Sequence, residues 1–283
     1  MRTLIATLSV ALAALPAAGQ KFYPDDPLLK EPAPRRVGKM PERELSDVYD
    51  LFVHSLKTPG ELQPRTGAKI RARGVNTLGD PMDGAWWERR HYWKPMTHEQ
   101  LRRGPDGTRP PSMKGKWTIT GPKSSGVTPG FRIMDSTGTT YHLKFDPVDY
   151  PELSSASDQI SGKIFHALGY HVPDNYVIEF PASILELSPE AKIKEANGQR
   201  RRMMPDDVSA TLRRAARTQD GLIRGTASRD LPGNLIGEYR YHGTRTDDVN
   251  DIVPHEHRRD LRSMRIAAAW IDHDDSRAIN TVD

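Results

Sequence analysis

The stretch 116–180 constrains the fold most, because its hydrophobic period changes twice. Trp117-Thr118-Ile119-Thr120 reads as a strand, and a glycine- and hydroxyl-rich turn follows at 121–130. Phe131-Arg132-Ile133-Met134 alternates as a second strand, Asp135-Ser136-Thr137-Gly138 is a hairpin turn, and 140–145 is a third strand. The period then lengthens. Leu153, Ala156, Ile160, Ile164 and Leu168 recur three or four apart, which predicts a helix over about 153–168 with that stripe toward a core. Gly169 ends it, and Tyr176-Val177-Ile178-Glu179-Phe180 is the next strand. Strand, loop, strand, strand, helix, strand is an α+β order.

Outside that stretch the pattern is looser. Pro (23) and Gly (22) are abundant in 283 residues and apolar residues make up 36%, which favours long connections over a helical bundle. Met1-Arg2, an apolar run over 4–15 and Ala17-Ala18-Gly19 form a secretory signal pattern over 1–19, cut before Gln20. A secreted or periplasmic protein with no stable membrane span after cleavage is the expectation. Residues 20–45 read as a Pro-rich linker, and 46–115 as a loop-rich extension. That extension holds a short helix at 46–57 and aromatic anchors at Trp86, Trp87, Tyr92 and Trp93. Residues 186–217 read as a basic, solvated helical insertion, an acidic protein partner being the sharper alternative. Short strands are expected at 222–227 and 239–241, and a helix at 255–271.

Several functions are disfavoured. With no cysteine, the chain has no disulfide, thiolate metal site or thiol nucleophile. A formal charge of only +4, with no dense basic block, argues against nucleic-acid binding.

Three constellations carry chemistry. Glycines of the 121–130 loop, Gly126 among them, let backbone amides approach phosphate oxygens, and Ser124, Ser125 and Thr128 add hydroxyl donors. The loop does not match G-x-x-x-x-G-K-[ST], and alone it is an ordinary hairpin loop. Lys144, near the end of an apolar strand, can reach phosphates if an acid on the next helix orients it. Asp158, off the apolar stripe, is the candidate acid and Glu152 the fallback. Alone, the pair would be an ordinary surface ion pair. The third is His273, Asp275 and Asn280, spaced H-x-D-x-x-x-x-N as in a kinase catalytic loop. Its bland reading is a solvated acidic helix end. His255, His257, His273, Asp274 and Asp275 also admit a metal-dependent hydrolase, although His255-x-His257 is not the i, i+4 spacing of two ligands on one helical face.

The order of these parts, glycine loop, strand lysine, helix acid and H-x-D-x-x-x-x-N, is the order in which kinases use them. Residues 123–129, Leu143-Lys144-Phe145 and Ala167-Leu168-Gly169-Tyr170-His171-Val172-Pro173 resemble the N-lobe of HipA-type kinases. The segment from Trp270 to Asn280 resembles the catalytic loop of exported bacterial proteins with a HipA- or CotH-like kinase fold. Val75-Asn76-Thr77-Leu78 and Arg103-Gly104-Pro105 are similar to motifs of those exported proteins.

The resemblance implies a kinase-like domain over 116–283. It would have an N-lobe of antiparallel sheet plus helix, and a partial helical C-lobe ending after the catalytic loop. It implies ATP and Mg as cofactors, a nucleotide and an unidentified hydroxyl acceptor as partners, Lys144 on the phosphates, Asp275 as base and Asn280 as metal ligand. The chain departs from that pattern in having Asp158 for the usual glutamate and Asp274 for the arginine of H-R-D. It stops at Asp283, before a second metal-binding aspartate, so a C-terminally incomplete kinase, active or inactive, or a non-catalytic binding module of the cell envelope, is expected.

Overall fold

The computed structural model describes residues 36, 52, 70–74, 83–84, 86–91, 93–105, 108–123, 128–195, 198–231, 233, 239–245, 247–248, 251–273 and 281. They form a mixed α+β structure. In chain order the elements are α1 (His98–Arg103), β1 (Trp117–Pro122), β2 (Phe131–Met134), β3 (Thr140–Phe145), α2 (Leu153–Ala167), β4 (Asn175–Phe180), β5 (Leu185–Leu187), β6 (Lys192–Lys194), β7 (Arg200–Arg202), α3 (Pro205–Leu212), β8 (Ile223–Arg229) and α4 (Arg259–Trp270).

Six strands make one sheet in the order β4-β8-β3-β2-β1-β5, and β6-β7 form a separate ribbon. The sheet is not wholly antiparallel as expected. β5 pairs with β1 in parallel, with Trp117 opposite Leu185. A turn of 3-10 helix over Ala182–Ile184 brings the chain back to that edge. β8, far along the chain, inserts between β3 and β4 and pairs antiparallel with both.

Alternation along the strands sends one set of side chains to a dry face. Trp117, Ile119, Phe131, Ile133, Leu143, Phe145, Phe180 and Ile223 are all fully buried there. Ala191, Met203, Ala215, Val208 and Leu212, from the excursion between β4 and β8, cover them. Each such large side chain contributes about 1.5–3 kcal/mol by leaving water. The β2–β3 turn is held by Asp135, whose carboxylate accepts from the Thr137 and Thr139 amides, the Thr137 hydroxyl and the Ser112 amide. Burial alone would raise this carboxyl, yet those donors hold it below the usual range.

α2 lies against β3, β4 and β8. Its expected inward stripe faces out instead: Leu153, Ile160 and Leu168 are exposed, while Ser155 and Phe165 are buried. The sheet face beneath it bears Lys144, Thr226 and Ser228, so polar helix positions meet it. A second cluster joins Trp87, Phe165, Tyr170, Ala267 and Ala268, locking the far end of α2 to α4. Trp87 donates to Leu168 O at 2.7 Å, and Tyr170 Oη donates to Asp260 O at 2.7 Å. Trp87 is thus an aromatic anchor of the extension, whereas Trp93 stays partly exposed against it.

Three further expectations change. The 186–217 segment is β5, the β6–β7 ribbon and the short α3 rather than a helical insertion. Residues 239–241 are not a strand. The helix expected over 255–271 opens as a 3-10 turn, His255–His257, and becomes α-helical only at Arg259. The signal pattern, the linker apart from Arg36, and the 46–57 helix apart from Phe52 lie outside the described residues. Among the described residues no helix is long and apolar enough to cross a membrane.

Candidate functional site

β3 sends Tyr141, Leu143 and Phe145 into the core, so His142 and Lys144 project toward α2. The helix is fixed there by a residue the sequence did not single out. Asp146, two positions beyond Lys144 and fully buried, accepts from Ser155 N and Ser155 Oγ, both at 2.7 Å. It serves as the cap that the helix entry lacks, since Glu152 lies in the left-handed region (φ 73°) and makes no side-chain cap. Asp158 is three residues past Ser155, on the same helical face. Lys144 Nζ donates to Asp158 Oδ1 at 2.9 Å, with the side chains 33% and 20% exposed. The fallback acid, Glu152, points elsewhere, 3.8 Å from Arg224 Nη2.

Arg224 is a second feature the sequence did not flag. It reaches Glu179 Oε1 at 2.6 Å and lies 3.5 Å from Asp146 Oδ2, compensating the buried carboxylate. Directly across from Lys144 on β8 stands Thr226, fully buried, its hydroxyl without a hydrogen-bond partner among the described residues.

The described ends of the loop between β1 and β2 meet at the same end of β3. Lys123 N donates to Gly130 O at 3.1 Å, and Phe145 N donates to Pro129 O at 2.8 Å. A Cβ at Gly130 would run into the Leu143 carbonyl oxygen, so only glycine lets the loop approach this closely. Thr128 lies at that mouth, half-buried. Ser124, Ser125 and Gly126 lie outside the described residues.

His273 lies just beyond α4. Its amide donates to Ala268 O at 2.8 Å, and its ring meets Phe165 of α2 edge to face at a centroid distance of 5.2 Å. The helix carrying Asp158 therefore also seats the start of the H-x-D-x-x-x-x-N segment. Beyond Asn280, Thr281 O accepts from Tyr239 N at 2.6 Å, and the Thr281 hydroxyl lies 2.6 Å from Tyr241 Oη. Asp274, Asp275 and Asn280 lie outside the described residues.

On the open part of the Lys144 face, Arg132 Nη2 bonds Asp230 at 2.7 Å and His142 Nε2 lies 3.2 Å from the other carboxylate oxygen. Burial opposes ionisation of Asp230, but these partners bring its carboxyl below the usual range. The described side-chain donors on this face, Lys144, Arg132 and His142, are each engaged by a carboxylate, Asp158 for the lysine and Asp230 for the other two. Lys144 and Arg132 are the described cations on this face that could meet an anionic ligand.

The histidines of the hydrolase alternative are engaged otherwise. Buried His255 faces Asp251 Oδ2 at 2.7 Å and the Arg240 carbonyl, and stacks on Tyr239 at 4.1 Å. Buried His257 takes Arg262 at 2.7 Å. Among the described residues no three His, Asp or Glu side chains are grouped to hold a metal ion.

No family model, curated protein or solved structure matches the chain.

Proposed function

We infer that this chain is a kinase-like phosphotransferase of the HipA/CotH kind, moving a phosphoryl group from ATP to a hydroxyl of a protein or small molecule. The observation that carries this reading is the 2.9 Å Lys144–Asp158 bridge between β3 and α2, beside the mouth of the β1–β2 loop. In kinases a strand lysine held by a helix acid must be in place for the phosphates to be positioned. Asp158 makes that bridge despite being one methylene shorter than glutamate.

In this reading Lys144 holds phosphate oxygens and Asp158 aims its ammonium. The 123–130 loop, with Ser124, Ser125, Gly126 and Thr128, supplies amide and hydroxyl donors. Asp275 takes the acceptor's proton, and Asn280 ligates Mg. Bound ATP would supply the transferred group, and Mg would neutralise charge on it. His273, seated on Phe165, precedes Asp275 by two residues. Secretion or periplasmic residence is part of the proposal, on the strength of the 1–19 pattern.

The test is phosphoryl transfer from labelled ATP·Mg by the purified chain, without the 1–19 segment, to an extract of small molecules and proteins. Transfer that disappears in Asp275→Ala supports the reading. Transfer unchanged in that variant contradicts it.

The same export pattern favours a second reading, a non-catalytic envelope module with a kinase-like fold, because exported compartments hold little ATP. That module would not bind nucleotide and would be indifferent to Lys144→Ala.

A further inference from the structure

The β6–β7 ribbon stands outside the main sheet. Lys192 faces Arg202, Ile193 faces Arg201 and Lys194 faces Arg200. Alternation places Lys192, Lys194, Arg200 and Arg202 on one side of the ribbon, and all four are exposed. Like charges directly opposite one another destabilise an antiparallel pair, and here two such pairs sit side by side. Lys192, Lys194 and Arg202 have no ion-pair partner among the described residues.

The reverse side holds the ribbon together despite this repulsion. Arg201 grips Asp207 with two bonds, at 2.7 and 2.8 Å, and Glu195 with a third at 2.9 Å. Ala191 and Met203, each 1% exposed, pin the ribbon's base to the sheet core, with Met203 N donating to Ala191 O at 2.8 Å. Charge is concentrated here. Residues 190–217 hold eight basic and four acidic side chains, an excess equal to the +4 of the entire chain.

We propose that this face docks an extended acidic polypeptide segment with carboxylates at alternate positions. Alternate residues of an extended strand repeat at about 6.8 Å, the same period that separates Lys192 from Lys194 and Arg200 from Arg202. The cationic stripe is narrow. Exposed Glu190 and Asp206 lie within four residues of the ribbon's strands, so a broad anionic bilayer would press carboxylates against like charge. Single-stranded nucleic acid uses aromatic stacking platforms, and no Phe, Trp, Tyr or His occurs between Phe180 and Ile223. A narrow acidic peptide satisfies both constraints. The surface is independent of the Lys144 site.

The test pairs binding with stability. Fluorescence anisotropy with a labelled peptide of alternating Asp and Thr is measured on the full chain at low ionic strength. Saturable binding that weakens with salt is expected. The double variant Lys192→Glu and Lys194→Glu converts both cross-strand pairs to opposite charges. It is expected to melt at or above the wild-type temperature and to bind at least about tenfold more weakly. Lost affinity in a fully folded variant is a result that a merely structural ribbon cannot give. The proposal is overturned by absence of binding at low salt or by undiminished binding in the double variant. Tighter binding of phosphatidylglycerol vesicles or of a single-stranded oligonucleotide through these residues also overturns it.

Discussion

Lys144 and Asp158 meet at 2.9 Å because two periods coincide. Lys144 and Asp146 are two apart on an extended chain and share a face. Ser155 and Asp158 are three apart on a helix and share a face. Asp146 binds Ser155, which sets the helix in the register that delivers Asp158 to Lys144.

That relationship separates stability from binding. The Lys144–Asp158 pair is partly exposed, and such pairs contribute about 0–1 kcal/mol. Asp158→Ala is therefore expected to shift the urea unfolding free energy by no more than about 1 kcal/mol. Under the proposed function it weakens nucleotide binding, because the ammonium loses its orientation.

Asp146→Ala behaves differently. It removes a fully buried carboxylate, the cap of α2 and the partner of Arg224 at once. A loss of about 3–5 kcal/mol is expected in chemical denaturation, as for breaking a buried pair. A loss below about 1 kcal/mol would show that α2 is held mainly by its Phe165 end.

Glycine is required at two places around the lysine strand. A Cβ at Gly130 would collide with Leu143 O, and one at Gly225 with Lys144 O. Both obstacles are backbone atoms of β3, which cannot swing aside as a side chain can. Gly130→Ala and Gly225→Ala are each expected to lower the melting temperature clearly. Gly138→Ala, whose Cβ would enter open space at φ 83°, should cost only about 1 kcal/mol. Equal effects at the three sites would contradict the packing.

A pH effect follows from the end of α2. Arg90 Nη1 lies 2.7 Å from His166 Nδ1, which must accept, so the ring is neutral. Burial, and then the Arg90 charge, push the His166 pKa down to about 4. A base with a depressed folded pKa leaves stability intact above the unfolded value near 6.5 and weakens it as pH falls toward 4. The ring is partly solvated, so the screened loss is on the order of 1 kcal/mol. NMR titration of the His166 ring, with melts across that window, checks the sign. His166→Gln should flatten the dependence.

What the sequence disclosed depended on local patterns. β2 and β3 fall where alternation put them, and β1, β4 and α2 differ only by a residue or two at their ends. Asp158 was recognisable because it stood off the apolar stripe. The stripe itself misled, since Leu153 and Ile160 face outward where the sheet beneath α2 is polar. The 186–217 segment misled for another reason. Its Ala, Lys and Arg favour helix locally, but burying Ala191 and Met203 in the sheet core forces the intervening chain into a ribbon. The insertion of β8 beside β3 left no local trace, because pairing is set by long-range packing. Asp146 carried a signal that could have been used, the first of three carboxylates between the lysine strand and a helix without a side-chain cap.

The most direct test of the account is calorimetric titration of ATP·Mg into the full chain and into Lys144→Ala. Saturable binding to the wild type is expected, with a loss of at least about tenfold, near 1.4 kcal/mol, in the variant and the melt unchanged without nucleotide. Absence of binding to the wild type, or equal affinity in both, would contradict the assignment of Lys144 as the phosphate-holding residue.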